Sequence, residues 1–312
     1  MGTPEPPHTV RYGEPCMTPP LSASRPEGRS GIRIPPAARA IVIAVVTGLL
    51  AAVNIYLAGR SIGLILDGAP AVDWDQYIEA SRRVHREGLY AVTETYAYHY
   101  SPVLAYLFGP LSWLGTGGWR VVHLVAALAM PTWPMRIVVL ASWPLWYDIE
   151  AGNIIVFVVL AAAWSLQGSG VATGAYVLLS LLVPRPLMLP LAIWLLWQRP
   201  QWRVPFAGAF VVHLLAVLAT GWAAEWIGAM LAAGGDVSIP SNVGPSRFIG
   251  TLPWLAIGLP LAAWLTWMGR VGLAGLATSP YWLPYYLLML VLELRRPARL
   301  AARLPPARTS TA

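Results

Sequence analysis

The chain contains no lysine, a single cysteine and little charge of either sign: all 21 basic residues are arginine, and only 11% of its 312 residues are charged. Each scarcity excludes something. Cys16, alone, cannot close a disulfide within the chain or build a cysteine-based metal site. The five histidines (His8, His85, His99, His123, His213) include no His-x-x-x-His pair, so no metal is expected. No Gly-rich nucleotide loop appears either, and no resident cofactor is expected. A net charge of +7 would suit nucleic acid, but the charge sits at the ends of the chain. Arg11, Arg25, Arg29, Arg33 and Arg39 precede the first long apolar run, and Arg295, Arg296, Arg299, Arg303 and Arg308 follow the last. Basic clusters of this kind beside apolar helices face anionic lipid on the cytoplasmic side. Both termini are therefore placed inside, with no nucleic-acid partner.

What the chain has instead is apolar residue, 57% of the total, with a mean hydropathy of +0.58. The first clear run, Ala40 to Leu57, approaches the roughly 20 residues that cross a bilayer. It carries no small-residue cleavage site and reads as a signal anchor. Further runs begin near Val103, Val121, Ile137, Ile154, Val171, Leu187, Val204, Phe248 and Tyr281. Together they predict an all-α, polytopic protein of the plasma membrane with about nine or ten membrane helices. Some of these would be tilted or broken, which is tolerated where protein rather than lipid surrounds them. Three regions follow: residues 1–39, a disordered basic cytoplasmic tail rich in Pro, Ser and Arg; residues 40–294, the membrane-embedded domain; and residues 295–312, a basic C-terminal tail.

Against this background Asp67 to Pro102 holds six of the fourteen acidic residues: Asp67, Asp73, Asp75, Glu79, Glu87 and Glu94. One crossing from an inside N-terminus delivers the segment to the outer face. From Asp73 to Glu87 the residues Trp74, Tyr77, Ile78, Ser81 and Val84 recur at helical spacing, with Arg82, Arg83, Arg86 and Glu87 opposite. This predicts an amphipathic helix lying apolar face down on the membrane and stopping at Gly88. Within it Asp73 and Asp75 fit two roles. Acids at a helix start cap free N–H groups and favour the dipole; alternatively Asp73 hangs over a cavity between membrane helices. Glu79 pairs naturally with Arg82 or Arg83 at the solvated surface.

The run DWDQYIEASRRVHREGLY, followed by YAYHYSPVLAYLFGPLSWL, resembles the first outer loop and second helix of glycosyltransferase family 87. These are polyprenol-phosphate-mannose-dependent mannosyltransferases of the GT-C superfamily. The matching positions are Asp73, Tyr77, Ala80, Gly88, Tyr90, Tyr100, Pro102 and Pro110. Four further segments fall in the family's order. WPLWYDIEAGNIIVFVVL, with Gly152 and Asn153, is similar to its Gly-Gln-x-Asn segment without the Gln. LLVPRPLMLPLAIWLL has Arg185 where a Lys is usual. SNVGPSRFIG, with Arg247, resembles the Asn-x-Ser loop, and in SPYWLPYYLLML Tyr285 and Tyr286 stand for a His pair.

The resemblance implies a GT-C-like fold and a hexose, in that family mannose, carried on polyprenyl phosphate. Its acceptor would be a glycolipid or glycan at the outer membrane face. A sugar phosphate is already activated, so the enzyme must deprotonate the acceptor hydroxyl and stabilise the departing phosphate. An inverting displacement needs one carboxylate, whereas retention would want a second as nucleophile. The catalytic candidates are Asp73 and Asp75, with Asp73 in the family's register as base. For substrate binding the candidates are Tyr77, Tyr100, Asn153, Arg185, Arg247 and Tyr285. Arg185, between Pro184 and Pro186 amid apolar sequence, either grips phosphate or snorkels to the interface. Of the sixteen tryptophans, Trp113, Trp222 and Trp254 are candidate sugar-stacking platforms, although most read as interface anchors. Two other classes stay open: a transporter, although no duplicated half marks inverted repeats, and a catalytically silent scaffold or subunit.

Overall fold

The computed structural model describes residues 35–86, 88–92, 98–233 and 241–294. Among these every regular element is a helix. The chain divides into two units, Met1–Gly48 and Leu49–Ala312. The described part of the first unit is the start of α1 (Pro36–Leu66), so helix begins four residues inside what the sequence assigned to the tail. Cys16 and both terminal arginine clusters, apart from Arg39, lie outside the described residues.

Helix α1 is 31 residues of nearly uninterrupted apolar sequence, about 46 Å at 1.5 Å per residue, more than the ~30 Å of bilayer hydrocarbon. Its large side chains are exposed along its length, Leu49, Leu50, Val53, Ile55 and Tyr56 among them. By length and composition this helix can cross a membrane. The polar residue in its middle, Asn54, is satisfied on both sides: it donates to the Ala141 carbonyl and accepts from the Trp143 N–H, each at 2.8 Å. A second stretch, Pro200–Ala219, is also long and apolar enough to cross a membrane. It comprises a 3₁₀ turn and α10, defined below.

The remaining elements are shorter than the nine or ten spans expected. They are α2 (Val72–Arg83), α3 (Pro102–Phe108), α4 (Gly115–Leu128), α5 (Trp133–Leu140), α6 (Trp143–Ala151), α7 (Ile155–Leu166) and α8 (Gly170–Leu182). There follow α9 (Leu189–Gln198), α10 (Arg203–Ala219), α11 (Ala223–Ala233), α12 (Ser246–Ile249), α13 (Thr251–Trp267), α14 (Val271–Thr278) and a 3₁₀ helix, Pro284–Leu294. Proline explains much of this segmentation. Pro102, Pro134, Pro144, Pro186 and Pro190 all stand in the first turn of their helices, where the missing N–H costs nothing.

Glycine sets how closely the later segments pack. A Cβ on Gly258 of α13 would lie 2.3 Å from the Ala277 carbonyl oxygen, and one on Gly272 of α14 2.2 Å from that of Met289. Only glycine permits these approaches, because any side chain would meet a backbone oxygen. Through them α13, α14 and Pro284–Leu294 stack together, and the last of these also packs on α6 and α7.

Helix α2 departs from its expected setting. It ends at Arg83, and its apolar face, Trp74, Tyr77, Ala80 and then Val84, is buried. Protein covers it rather than lipid. Trp74 stacks on Trp119 at 4.8 Å between ring centres, and Tyr77 packs against Phe108 at 4.5 Å. The opposite face is solvated as expected, with Glu79 paired to Arg82 at 3.5 Å and Arg83 at 2.8 Å. Glu87 and Glu94 lie outside the described residues.

Candidate active site

Helix α6 ends at Gly152, whose φ of 72° is left-handed and whose N–H returns to the Asp148 carbonyl at 2.8 Å. A Cβ there would stand 2.8 Å from Cβ of Trp74 and 3.1 Å from that of Ala71. Glycine is thus required twice, for the turn and for the approach of α2. The Trp119 indole N–H donates to the Gly152 carbonyl at 2.8 Å, locking the corner. The next residue, Asn153, is fully buried and donates from its side-chain amide to Oδ2 of Asp73 at 2.7 Å.

Asp73 does not cap α2. The N-cap position is Ala71, which has no side-chain acceptor, and the Asp73 carboxylate is directed to Asn153 instead. Burial pushes this carboxyl above its ordinary value, while Asn153, then Arg185 and then a hydrogen bond from Tyr285 each pull it back. A partly desolvated carboxylate with donors around it is the environment of a tuned base. Tyr77, one turn on, donates to the Tyr100 hydroxyl at 3.3 Å. Asp75 is exposed on the other side of α2, where Arg120 and Arg82 are its charged neighbours.

Arg185 emerges from the break between α8 and Pro186, in extended conformation between two prolines that prevent helix. Its guanidinium donates to the Tyr100 hydroxyl and lies 5.0 Å from the ring centres of both Tyr100 and Tyr286. Its Nη1 is buried and has no hydrogen-bond partner. Among the described residues no ion pair joins Arg185 to a carboxylate. The hydroxyl of Tyr286, whose ring the guanidinium faces, is buried and also unpartnered. A buried guanidinium whose hydrogen bonding is incomplete is costly, and an anion would satisfy it.

The structure therefore brings Asp73, Tyr77, Tyr100, Asn153, Arg185 and Tyr285 into one cluster from five separate segments. It leaves out Asp75 and Arg247. The described contact of Arg247, to the Asn242 carbonyl at 3.3 Å, stays within its own loop. That loop is organised by Asn242, whose Oδ1 accepts from the N–H groups of Gly244 and Trp282, each at 2.9 Å. Of the tryptophans, Trp254 is buried and donates to the Ser279 carbonyl at 2.8 Å, and Trp113 is exposed. Trp222 lines a cleft of about 680 Å³ with Tyr90, His99 and Glu225. The cleft lies beside the cluster, to which Tyr90 ties it by donating to the Tyr100 carbonyl at 2.8 Å.

Sequence reasoning passed over Asp148 and set aside His123, which are both fully buried behind Asn153. Acid and histidine in apolar helices were the available signal, since ionisable groups in such surroundings are rarely retained without a task. No family model, curated protein or solved structure matches this chain.

Proposed function

We propose that this protein is a polytopic membrane glycosyltransferase of GT-C-like fold. It would move a hexose, in the first instance mannose, from a polyprenyl-phosphate donor to a glycolipid or glycan acceptor at the outer face of the plasma membrane. The observation that carries the reading is the pairing of a half-buried carboxylate, Asp73, with a guanidinium, Arg185, whose charge acts on it but which makes no ion pair among the described residues and has an unpartnered buried N–H. Base and anion site are the two parts that transfer from a sugar phosphate requires.

In the displacement the acceptor oxygen attacks the anomeric carbon as its proton passes to Asp73. The bond from that carbon to the phosphate oxygen breaks, and its electron pair leaves with the phosphate. Arg185 meets the charge that develops there, with the Tyr286 hydroxyl as a second donor. Asn153 keeps the carboxylate in place, and Tyr77 and Tyr100 hold the guanidinium's surroundings. A single base predicts inversion at the anomeric carbon. The cleft beside Tyr90 and Trp222 gives the acceptor glycan room and an aromatic face to stack on.

The test is transfer of radiolabelled mannose from a polyprenyl-phosphate donor by the purified full chain in proteoliposomes. Asp73→Asn keeps the size of the side chain and removes the base. Transfer by the parent that is lost in the fully folded variant supports the reading. Parental rates in Asp73→Asn would falsify it, and absence of transfer by the parent would leave the silent subunit as the better account.

A further inference from the structure

Behind Asn153 lies a pair that the proposed reaction does not use directly. His123, on α4, and Asp148, on α6, are both fully buried, with Nε2 3.8 Å from Oδ2. The imidazole faces two backbone carbonyls at once. Its Nδ1 is 2.8 Å from the Trp119 oxygen, and its Nε2 is in contact with the Asn153 oxygen. A carbonyl only accepts. A neutral ring has one N–H and one lone pair, so it would satisfy one carbonyl and oppose the other, whereas the imidazolium donates to both. Oδ2 of Asp148 accepts from the Val156 N–H at 3.1 Å, and its Oδ1 has no partner. That carboxyl therefore has no acceptor placed to take a proton from it, and as a carboxylate it is the countercharge a buried cation needs. Burial and the charge of Arg120, on its own helix, oppose that cation, the two carbonyls and Asp148 favour it, and Asp73 and Arg185 are the further charges acting on Asp148.

We propose that His123 is held as an imidazolium by Asp148 and acts as a positioning residue. By gripping the Asn153 carbonyl it fixes the amide that orients Asp73. The connection is short: the backbone oxygen of Asn153 goes to His123, its side-chain oxygen accepts from the Ile154 N–H at 2.8 Å, and its amide donates to Asp73 at 2.7 Å. Asn153 is thus held at three points, and only one of them is the carboxylate it serves. The ring itself is walled by Trp119 at 5.1 Å and Phe157 at 4.9 Å between centres and is fully buried. The role in catalysis rests on the glycosyltransferase reading; the charge state does not.

The test has two arms. Nitrogen-15 NMR of the histidine-labelled full chain in nanodiscs reads the protonation of each ring nitrogen. The His123 signal is assigned by its loss in His123→Gln. If that variant does not accumulate, it is assigned by elimination with His8, His85, His99 and His213 replaced in turn. Both His123 nitrogens should still carry protons at about pH 8, above the ordinary histidine pKa of about 6.5; a singly protonated ring at neutral pH overturns the charge assignment. In the second arm, His123→Gln should lower kcat about tenfold or more while leaving KM for the donor unchanged, and should move the acidic limb of the pH–rate profile upward. A variant that folds with kcat and limb unmoved overturns the positioning role. If the parent transfers no sugar, the glycosyltransferase reading fails with it, and the NMR arm still decides the pair.

Discussion

Asp73 and Asp75 are separated by about 200° around a helix axis, and the structure turns that angle into two environments, one half-buried against Asn153 and one in solvent. Asp73→Asn should lower transfer about 10²- to 10⁴-fold, the usual cost of losing a general base, while Asp75→Asn should change it little; both are read in the proteoliposome assay with protein level checked. The pH dependence follows in sign. In the proposed reaction the working form of Asp73 is the carboxylate, and burial raises its pKa. Activity should therefore fall as pH drops through a value above the ordinary carboxylate range. Asn153→Ala removes the largest opposing influence and should move that limb to still higher pH. An unmoved limb would show that the Asn153 amide does not stabilise the base. For Arg185, lysine keeps charge but loses the planar fork. Arg185→Ala should cost about 2–4 kcal/mol of transition-state stabilisation and Arg185→Lys less, measured as kcat/KM for the donor.

At the scale of elements, two glycines of opposite setting give a paired prediction. Gly272 leaves no room for a side chain against the Met289 carbonyl, whereas Gly59 on α1 has nothing within 4 Å. Gly272→Ala should destabilise by about 1–3 kcal/mol through overpacking. Gly59→Ala should be neutral or stabilise by up to about 1 kcal/mol, since alanine is the better helix former. Thermal unfolding followed by tryptophan fluorescence in nanodiscs compares them; equal midpoints would mean that α14 does not pack as described. Gly152→Ala acts differently, because it meets both a left-handed φ and the Trp74 side chain. It should push α2 away from Asn153 and reduce transfer even in protein that still folds.

For the molecule as a whole, orientation decides whether the cluster can meet an outer-face substrate. Four arginines precede α1 and Arg39 stands in its first turn, so the positive-inside rule predicts that end inside. Cys16 should then escape a membrane-impermeant maleimide in intact cells, while Val72→Cys, at a position 56% exposed, should be labelled. Ala71, although adjacent, is fully buried and would report nothing. Labelling of Cys16 in sealed cells would invert the protein and move the cluster to the cytoplasmic side.

Helical class, the apolar character of the first run and the solvated Glu79–Arg82–Arg83 face of α2 were all legible in the sequence, because each depends on composition or on spacing within one segment. Of the eight candidate site residues named from their order along the chain, six come together in the cluster, and Asp75 and Arg247 do not. The meeting of the six was not legible. Asp73 and Asn153 are joined across 80 positions and Tyr100 and Arg185 across 85. Those contacts depend on a glycine corner, on two prolines that break a helix beside the arginine, and on which surfaces pack. The same limit hid His123 and Asp148, whose local sequence is ordinary apolar helix until two helices set them 3.8 Å apart. It also misplaced the apolar face of α2 on lipid. Periodicity states that a face is buried; only the packed chain states against what.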